Sequence, residues 1–424
     1  MRHFDLCVIG SAVLGEHFAG WDVAVVDGHQ RPGDVVPLLA QVADVAEQAR
    51  HASALGIDTG QVRVRWSDLR DRVAAAVPAA TGPGIVAFDG PGRFLAPRTL
   101  RVDGEEISAD RFVIATGCRP HLPDVPGADD PDLAGRIHDG DSILALEALP
   151  ASLIIVGGGA AAAEYAHIFA ALGTQVTLLH RGGRLLRRED DDISRRFTDL
   201  LSRRVVLRLG QHLASVAEAG GRVEVGTTDD DGIEYFFEAD HLLLATGRVP
   251  DVAGLDLPRA GVETDDEGRI RVDDHQRTTA EGVWALCDPR GRTPAAALHA
   301  LRRQLLDPAG SASGAGRPGV RAVFSGPQVA ALGLTERACR EQGLAYRVGV
   351  AERAGITAPG VAPDLYAKVI LDADGGLLGA HLLGPDATKL LQPLVTADDV
   401  AALSRDQVHP SFGVVVDALD AALR

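Results

Sequence analysis

The stretch Leu153-Ile-Ile-Val156-Gly157-Gly-Gly159-Ala-Ala-Ala162 decides the reading of this chain. Gly157, Gly159 and Ala162 fit the spacing G-x-G-x-x-A. An apolar strand precedes them, a helical run to Leu172 follows, and Val176 to Leu179 supplies the next strand. The first glycine permits a tight turn and the second lets the backbone approach a pyrophosphate. The small third residue lets helix and strand pack closely, with the phosphates at the helix N-terminus. A chance Gly/Ala-rich turn is the rival reading, but here strand, helix and following strand are all in place. The second strand ends at His180-Arg181 and not at an acidic residue, which would grip the 2′-hydroxyl of NAD. Arg181 and Arg187, with Arg184 between them, are cations of the kind that accommodate the 2′-phosphate of NADP. The expected cofactor is therefore NADPH; the bland alternative is a solvated basic loop.

Working outward, the same plan occurs earlier. Asp5 to Ile9 is followed by a turn at Gly10, a short helix and Val23 to Val26. Each half later contains a strand ending in Ala-Thr-Gly, Phe112 to Gly117 and Leu242 to Gly247. Thr116, Gly117 and Gly247 therefore join the candidate cofactor-binding residues. This repetition predicts an α/β chain with two Rossmann-like FAD/NAD(P)-binding domains. Residues 308–319 are rich in Gly, Ser and Pro and read as a linker. Alternating runs and terminal helices beyond it predict a C-terminal α+β domain. The expected boundaries are 1–150 with 272–310 for a trimmed FAD-type domain, 151–271 for the NAD(P)H domain and 320–424 for the last.

Composition excludes several classes. The net charge of −17 disfavours nucleic acid and anionic membrane surfaces, which need clustered cations. No uncharged apolar run approaches a bilayer-spanning length. Met1 leads straight into a strand-like run, so no secretion signal is expected. Cys7, Cys118, Cys287 and Cys339 are too widely spaced for a disulfide framework, and no Cys/His spacing suggests a metal site. A cytoplasmic protein is the natural expectation. Acidic runs such as Glu189-Asp-Asp-Asp192 and Asp229-Asp-Asp231 read as solvated turns or a helix start, and His299 and His381 as structural.

These residues, with several further segments, carry a resemblance. The segments are Gly56-Ile-Asp58 with Val64-Arg-Trp66, Ile114-Ala-Thr-Gly117, Glu164-Tyr-Ala-His167 and Leu243-Leu-Ala-Thr-Gly-Arg248. Gln276-Arg-Thr278 leading to Val283-Trp-Ala-Leu286, Pro327 to Glu336, Leu378-Gly-Ala-His381 and His409-Pro410 continue the series. Together they resemble the class I pyridine nucleotide-disulfide oxidoreductases, nearest to the mycothione reductase branch and more distantly to glutathione reductase and dihydrolipoamide dehydrogenase. The resemblance implies an FAD domain, an NAD(P)H domain and a C-terminal homodimerisation domain in which His409 serves the partner subunit's cleft. It also implies that Glu164 is the family glutamate beside the flavin.

The departures are as informative. The resemblance implies a Gly-rich FAD-phosphate loop after the first strand, but only Ser11-Ala12 remains of it. The nominal G-x-A-x-x-G at Gly10-Ser-Ala-Val-Leu-Gly15 is read as coincidental. About a dozen residues separate the first two strands, which is tight for a right-handed crossover. It further implies a loop Gly-Gly-Thr-Cys-x-x-x-x-Cys-x-x-x-Lys after the second strand. This chain has Asp27-Gly-His-Gln-Arg-Pro-Gly-Asp-Val-Val-Pro37, with no cysteine, and Pro37 near the place of the lysine. Thiol–disulfide exchange needs a thiolate, and no other side chain substitutes. In His409-Pro410-Ser-Phe-Gly-Val414, valine stands where the family glutamate would orient the general acid/base histidine.

FAD is left open. Asp27 could hold its adenosine ribose, Asp288 its ribityl chain, and the helix opened by Thr293-Pro294 could face its ring. The same residue types are ordinary at strand ends and helix starts. Cys118 and Cys287 could form a relocated reactive pair, though small space-filling residues are the preferred reading. The sequence thus predicts an NADPH-dependent oxidoreductase without the redox cysteine pair, hence not a disulfide reductase. The alternative is a flavin-free family scaffold, recruited to non-redox chemistry or acting as a non-catalytic ligand-binding protein.

Overall fold

The computed structural model describes residues 1–10, 18, 20–26, 35–75, 84–273, 275–286, 301, 305, 319–353, 365–397, 403 and 410–424. The chain divides into two compact units. One combines Met1–Asp34, Ala74–Pro120 and Arg248–Gly319; the other combines Val35–Val73, His121–Gly247 and Val320–Arg424.

In the first unit, strand Arg2–Ile9 lies between Val23–Val26 and Glu105–Ile114 and runs parallel to both. Ile85–Phe88 extends this sheet beside Val23–Val26, and Val283–Ala285 pairs in parallel with Phe112 to Ile114. Arg93–Ala96 and Thr99–Val102 add an antiparallel edge. Leu6, Val8, Val23 and Val25 pack on one face with Phe18, Leu301 and Leu305. Cys7, Ile9, Ala24 and Val26 pack on the other with Phe94, Leu100 and Phe112. Both faces are covered, which is why these strands read as continuous apolar runs rather than alternating ones.

Only residues 10–22 connect the first two parallel strands, and the fully buried Phe18 closes the core beneath them. Gly10 is structurally required. Its φ is +98°, and a Cβ there would lie 2.4 Å from Thr116 Cα. Its amide donates to Val26 O at 2.8 Å. Gly10 therefore makes the tight turn after the first strand; Ser11 to Gly15, which hold the rest of that motif, lie outside the described residues. Gly10→Ala is expected to destabilise the chain by about 2 kcal/mol, because side-chain sterics and backbone strain act together. A denaturant midpoint within error of wild type would contradict this.

The second unit contains a five-stranded parallel sheet in the order Val206–Leu209, Gln175–His180, Ser152–Val156, His241–Leu244, Ile137–His138. Helix Ala160–Leu172 packs on it, and helix Val36–His51 packs on that helix. Pro37 sits in the first turn of Val36–His51, where a missing N–H costs nothing. An antiparallel sheet of His212–Ala219, Arg222–Thr228 and Glu234–Ala239 follows. The C-terminal part is an antiparallel sheet ordered Val320–Val323, Gln328–Gly333, Leu377–Gly384, Leu365–Asp372, Tyr346–Arg353. Helix Gly413–Leu423 covers it, approaching so closely that a Cβ on Gly349 would strike Ala418 O. Among the described residues no helix is long and apolar enough to cross a membrane.

Candidate dinucleotide site

The strand Ser152–Val156 is buried from Leu153 onward and delivers the chain into the glycine turn. Gly157 cannot carry a side chain, since its Cβ would lie 2.3 Å from Ala245 O on the neighbouring strand. Ala162 is fully buried and would be 3.2 Å from that same Cβ, so only a small residue fits. Gly159 is the N-cap of the 13-residue helix Ala160–Leu172, and nothing lies within 4 Å of where its Cβ would be. The position beside Gly159 at the helix N-terminus is therefore clear of other atoms. These are the separate demands of tight turn, phosphate approach and close packing.

Gly158 adds a requirement the sequence reading did not identify. The ring of His180 lies over it, 2.3 Å from its ideal Cβ. Burial holds His180 below its ordinary pKa. The charges of Arg187 and Arg181 push the same way, and a backbone hydrogen bond at Arg184 opposes them. Arg181 and Arg187 are exposed and make no ion pair among the described residues. Arg184 is different: it pairs with Asp191 at 3.3 Å. Of the three cations read from the sequence, Arg181 and Arg187 thus remain to meet an anion. Gly247, at the end of the adjacent strand, is exposed with an open Cβ position, and its carbonyl accepts from His121 N at 3.0 Å.

In the first unit, Thr116 is buried beside the Gly10 turn. Gly117 adopts φ +66° and accepts from Asp251 N at 3.1 Å. Asp27, Asp288, Thr293, Cys287, His299, His409 and the segment 308–318 lie outside the described residues. Cys7 and Cys339 are free thiols. Burial raises the thiol pKa of both Cys7 and Cys339, and Cys118 is half-buried. Val414 is fully buried in the core of the C-terminal sheet and helices, a place that accepts valine and would penalise a carboxylate.

Glu164 accepts from Phe324 N at 2.9 Å and pairs with no cation among the described residues. Neither lysine is its partner: Lys368 is held by Asp190, Asp192 and Glu336, and Lys389 by Asp386. Burial pushes the Glu164 carboxyl up to about 7, against the Phe324 hydrogen bond. A carboxyl raised in the folded state costs stability as pH rises from its ordinary value through the folded one. Glu164→Gln is therefore expected to stabilise the chain by about 1–3 kcal/mol at pH 8 and to change nothing at pH 4. Denaturant midpoints at the two pH values check this; equal shifts at both would contradict it.

The acidic run Glu189 to Asp192 is a helix start, and its first two members are buried. Glu189 and Asp190 are 6% and 1% exposed. Glu189 meets Arg321 at 3.1 Å, and Asp190 caps helix Asp191–Leu201 while bonding Lys368 at 2.8 Å. Asp229 does make an exposed turn, accepting from Asp231 N and Ile233 N. His381 is buried with Nε2 2.9 Å from Leu334 O. Asp44, Glu47 and His167 cluster within 4.8 Å, a juxtaposition of two helices that spacing does not reveal. Arg204 contacts both Glu47 and His167 and supplies the offsetting charge.

Residues 4–303 match the pyridine nucleotide-disulphide oxidoreductase family model, and residues 320–410 match that family's dimerisation domain. The chain belongs to this family. It is 34% identical to mycothione reductase of Mycobacterium tuberculosis, with 98% of each chain covered. It is 30% identical to glutathione reductase of Burkholderia cepacia, with 96% of each covered. Among solved structures it matches the Cu(II) complex of a mutant of the HOCl-induced flavoprotein disulfide reductase RclA from Escherichia coli. There the identity is 26% and the TM-score 0.77, over 100% of this chain and 99% of that one. The mycothione reductase alignment spans 465 positions but uses 98% of 424 residues, about 416, so about 49 positions face a gap in this member. The residues at the Gly157 turn fit a dinucleotide: the position beside Gly159 is clear, and Arg181 and Arg187, without ion pairs among the described residues, stand at the end of the following strand and in the loop after it.

Proposed function

We propose that this family member is an NADPH-dependent oxidoreductase that works without the dithiol relay and is therefore not a disulfide reductase. The carrying observation is the contrast between two places. The Gly157 turn has a clear position at Gly159 and two arginines without ion pairs among the described residues, whereas the loop from Asp27 to Pro37 has no cysteine. Two of the remaining thiols do not replace the pair: Cys7 and Cys339 are buried with raised pKa, so neither is a ready thiolate. The absence of a lysine beside Glu164 and of a glutamate at Val414 supports loss of the same relay.

In this reading Gly157 to Ala162 hold the pyrophosphate, Arg181 and Arg187 the 2′-phosphate, and Gly247 leaves room for the nucleotide. Thr116, Gly117, Asp27, Asp288 and Thr293 form the flavin side, and FAD supplies a two-electron acceptor for the nicotinamide hydride when bound. His409 and Glu164 are the proton-handling candidates. The acceptor is a small electrophile such as a quinone. The chain is a cytoplasmic homodimer through residues 320–424, with its FAD-type domain at 1–150 and 272–310 and its NADPH domain at 151–271.

A second reading is favoured by one observation, the 13-residue connection from Gly10 to Asp22, which leaves little backbone to cradle a second diphosphate. On that reading the chain binds NADPH but no flavin and serves a non-redox or purely binding role. The visible spectrum of the purified protein separates the two. A flavin band bleached by NADPH supports the first, and a colourless, folded protein that binds NADPH supports the second. Absence of NADPH binding overturns both.

A further inference from the structure

We propose that the C-terminal module sets the cofactor preference of the Gly157 site, with Arg337 and Lys368 as positioning residues for the loop that carries Arg181 and Arg187. This rests on the reading that the site takes NADPH.

The loop from Arg181 to Asp190 has no regular secondary structure to hold it. On one side it touches the glycine turn, where Leu186, in the left-handed region at φ +52°, donates its amide to Gly158 O at 2.8 Å. On the other side it is held by cations from beyond residue 320. Arg337 donates to Arg187 O at 3.1 Å and to Asp191 Oδ1 at 3.0 Å, so one guanidinium ties the backbone of a candidate phosphate ligand to the start of the next helix. Glu336 N donates to Asp190 Oδ2 at 3.0 Å. Lys368, 2% exposed, reaches Asp190 at 2.8 Å, Asp192 at 3.0 Å and Glu336 at 2.6 Å. Arg321 closes the run on Glu189.

Two consequences follow from this arrangement. The backbone at Arg187 is pinned, so its side chain starts from a fixed point and loses less freedom on meeting an anion. The four consecutive carboxylates Glu189 to Asp192 are also neutralised. Left unpaired, they would stand a few residues from the 2′-phosphate and repel it. A nucleotide without that phosphate gains little from either effect, so the clamp acts on preference rather than on binding in general.

The test uses the full chain and calorimetric titration with 2′,5′-ADP and with 5′-AMP. Arg337 is partly exposed, and Arg337→Gln removes its charge and shortens its reach without opening the core. The expected result is about a fivefold loss of 2′,5′-ADP affinity with 5′-AMP changed less than about twofold, in line with the net contribution of one ordinary hydrogen bond, since Arg337 acts through the Arg187 backbone and not on the phosphate itself. Arg337→Lys, which keeps the charge but cannot span both acceptors, should fall between wild type and Arg337→Gln. Equal losses for both nucleotides, or an unchanged ratio in both variants, would overturn the proposal. A wild-type protein with no preference for 2′,5′-ADP would instead overturn the NADPH reading on which it stands.

Discussion

Alanine at both Arg181 and Arg187 is expected to weaken NADPH binding about a hundredfold while NADH changes by less than about threefold. Both guanidiniums are exposed and without ion pairs among the described residues, so their removal leaves no buried partner stranded. Each charge-assisted hydrogen bond to a phosphate contributes about 1.5 kcal/mol or more, and two such losses give the expected factor. Nothing about the Gly157 turn changes, which is why the nucleotide lacking a 2′-phosphate should be nearly indifferent. Fluorescence titration of each nucleotide into wild type and the double variant measures both arms. Parallel losses, or none, would mean that the basic loop is merely solvated. His180 gains an incidental readout, since the like charges that help hold its pKa down are removed.

Lys368→Met is the second large effect, expected to cost about 3 kcal/mol or more at pH 7. Removing one partner of a buried ion cluster strands the others, and Asp190 is 1% exposed. Burial alone would lower the Lys368 pKa, but its hydrogen bonds to Asp190, Glu336 and Asp192 outweigh that and raise it. Its own contribution is therefore flat from neutral to mildly alkaline pH. Burial would likewise raise Asp190 and Asp192, yet the hydrogen bond to Lys368 leaves both below the ordinary carboxylate range. Groups depressed in this way stabilise the fold above about pH 4 and lose that contribution as pH falls through their lower, folded values. The gap between wild type and Lys368→Met should therefore be wide at pH 7 and narrow near pH 3, as read from denaturant midpoints. A constant gap would show that methionine fails through packing and not through charge.

Much of the fold was legible because its signals are local. Leu153 to Val156, the three spaced small residues and Val176 to Leu179 form one continuous strand–turn–helix–strand statement, and the structure places them so. Gly10 was harder. Its nominal fingerprint was read as coincidental, and its requirement comes from Thr116, more than a hundred residues away, which no local pattern reveals. The clamp was illegible for a related reason. A run of four acidic residues usually marks water, and only the pairing of strand Leu365–Asp372 with its neighbours brings Lys368 under it. One cue was available: a chain with only two lysines that buries one of them is using it. The His180 ring over Gly158 is a side-chain packing choice and was beyond reach of spacing arguments. The same holds for Arg184, whose pairing with Asp191 removes it from the cationic set.

The proposed loss of dithiol chemistry meets its most direct test in anaerobic NADPH oxidation by the purified full chain. The acceptors should be a panel of low-molecular-weight disulfides beside a quinone, with no other protein present. The account expects no turnover of any disulfide above the uncatalysed rate, whatever the quinone does. Sustained, enzyme-dependent reduction of a disulfide would contradict it, because the loop from Asp27 to Pro37 carries no sulfur with which to accept the electrons.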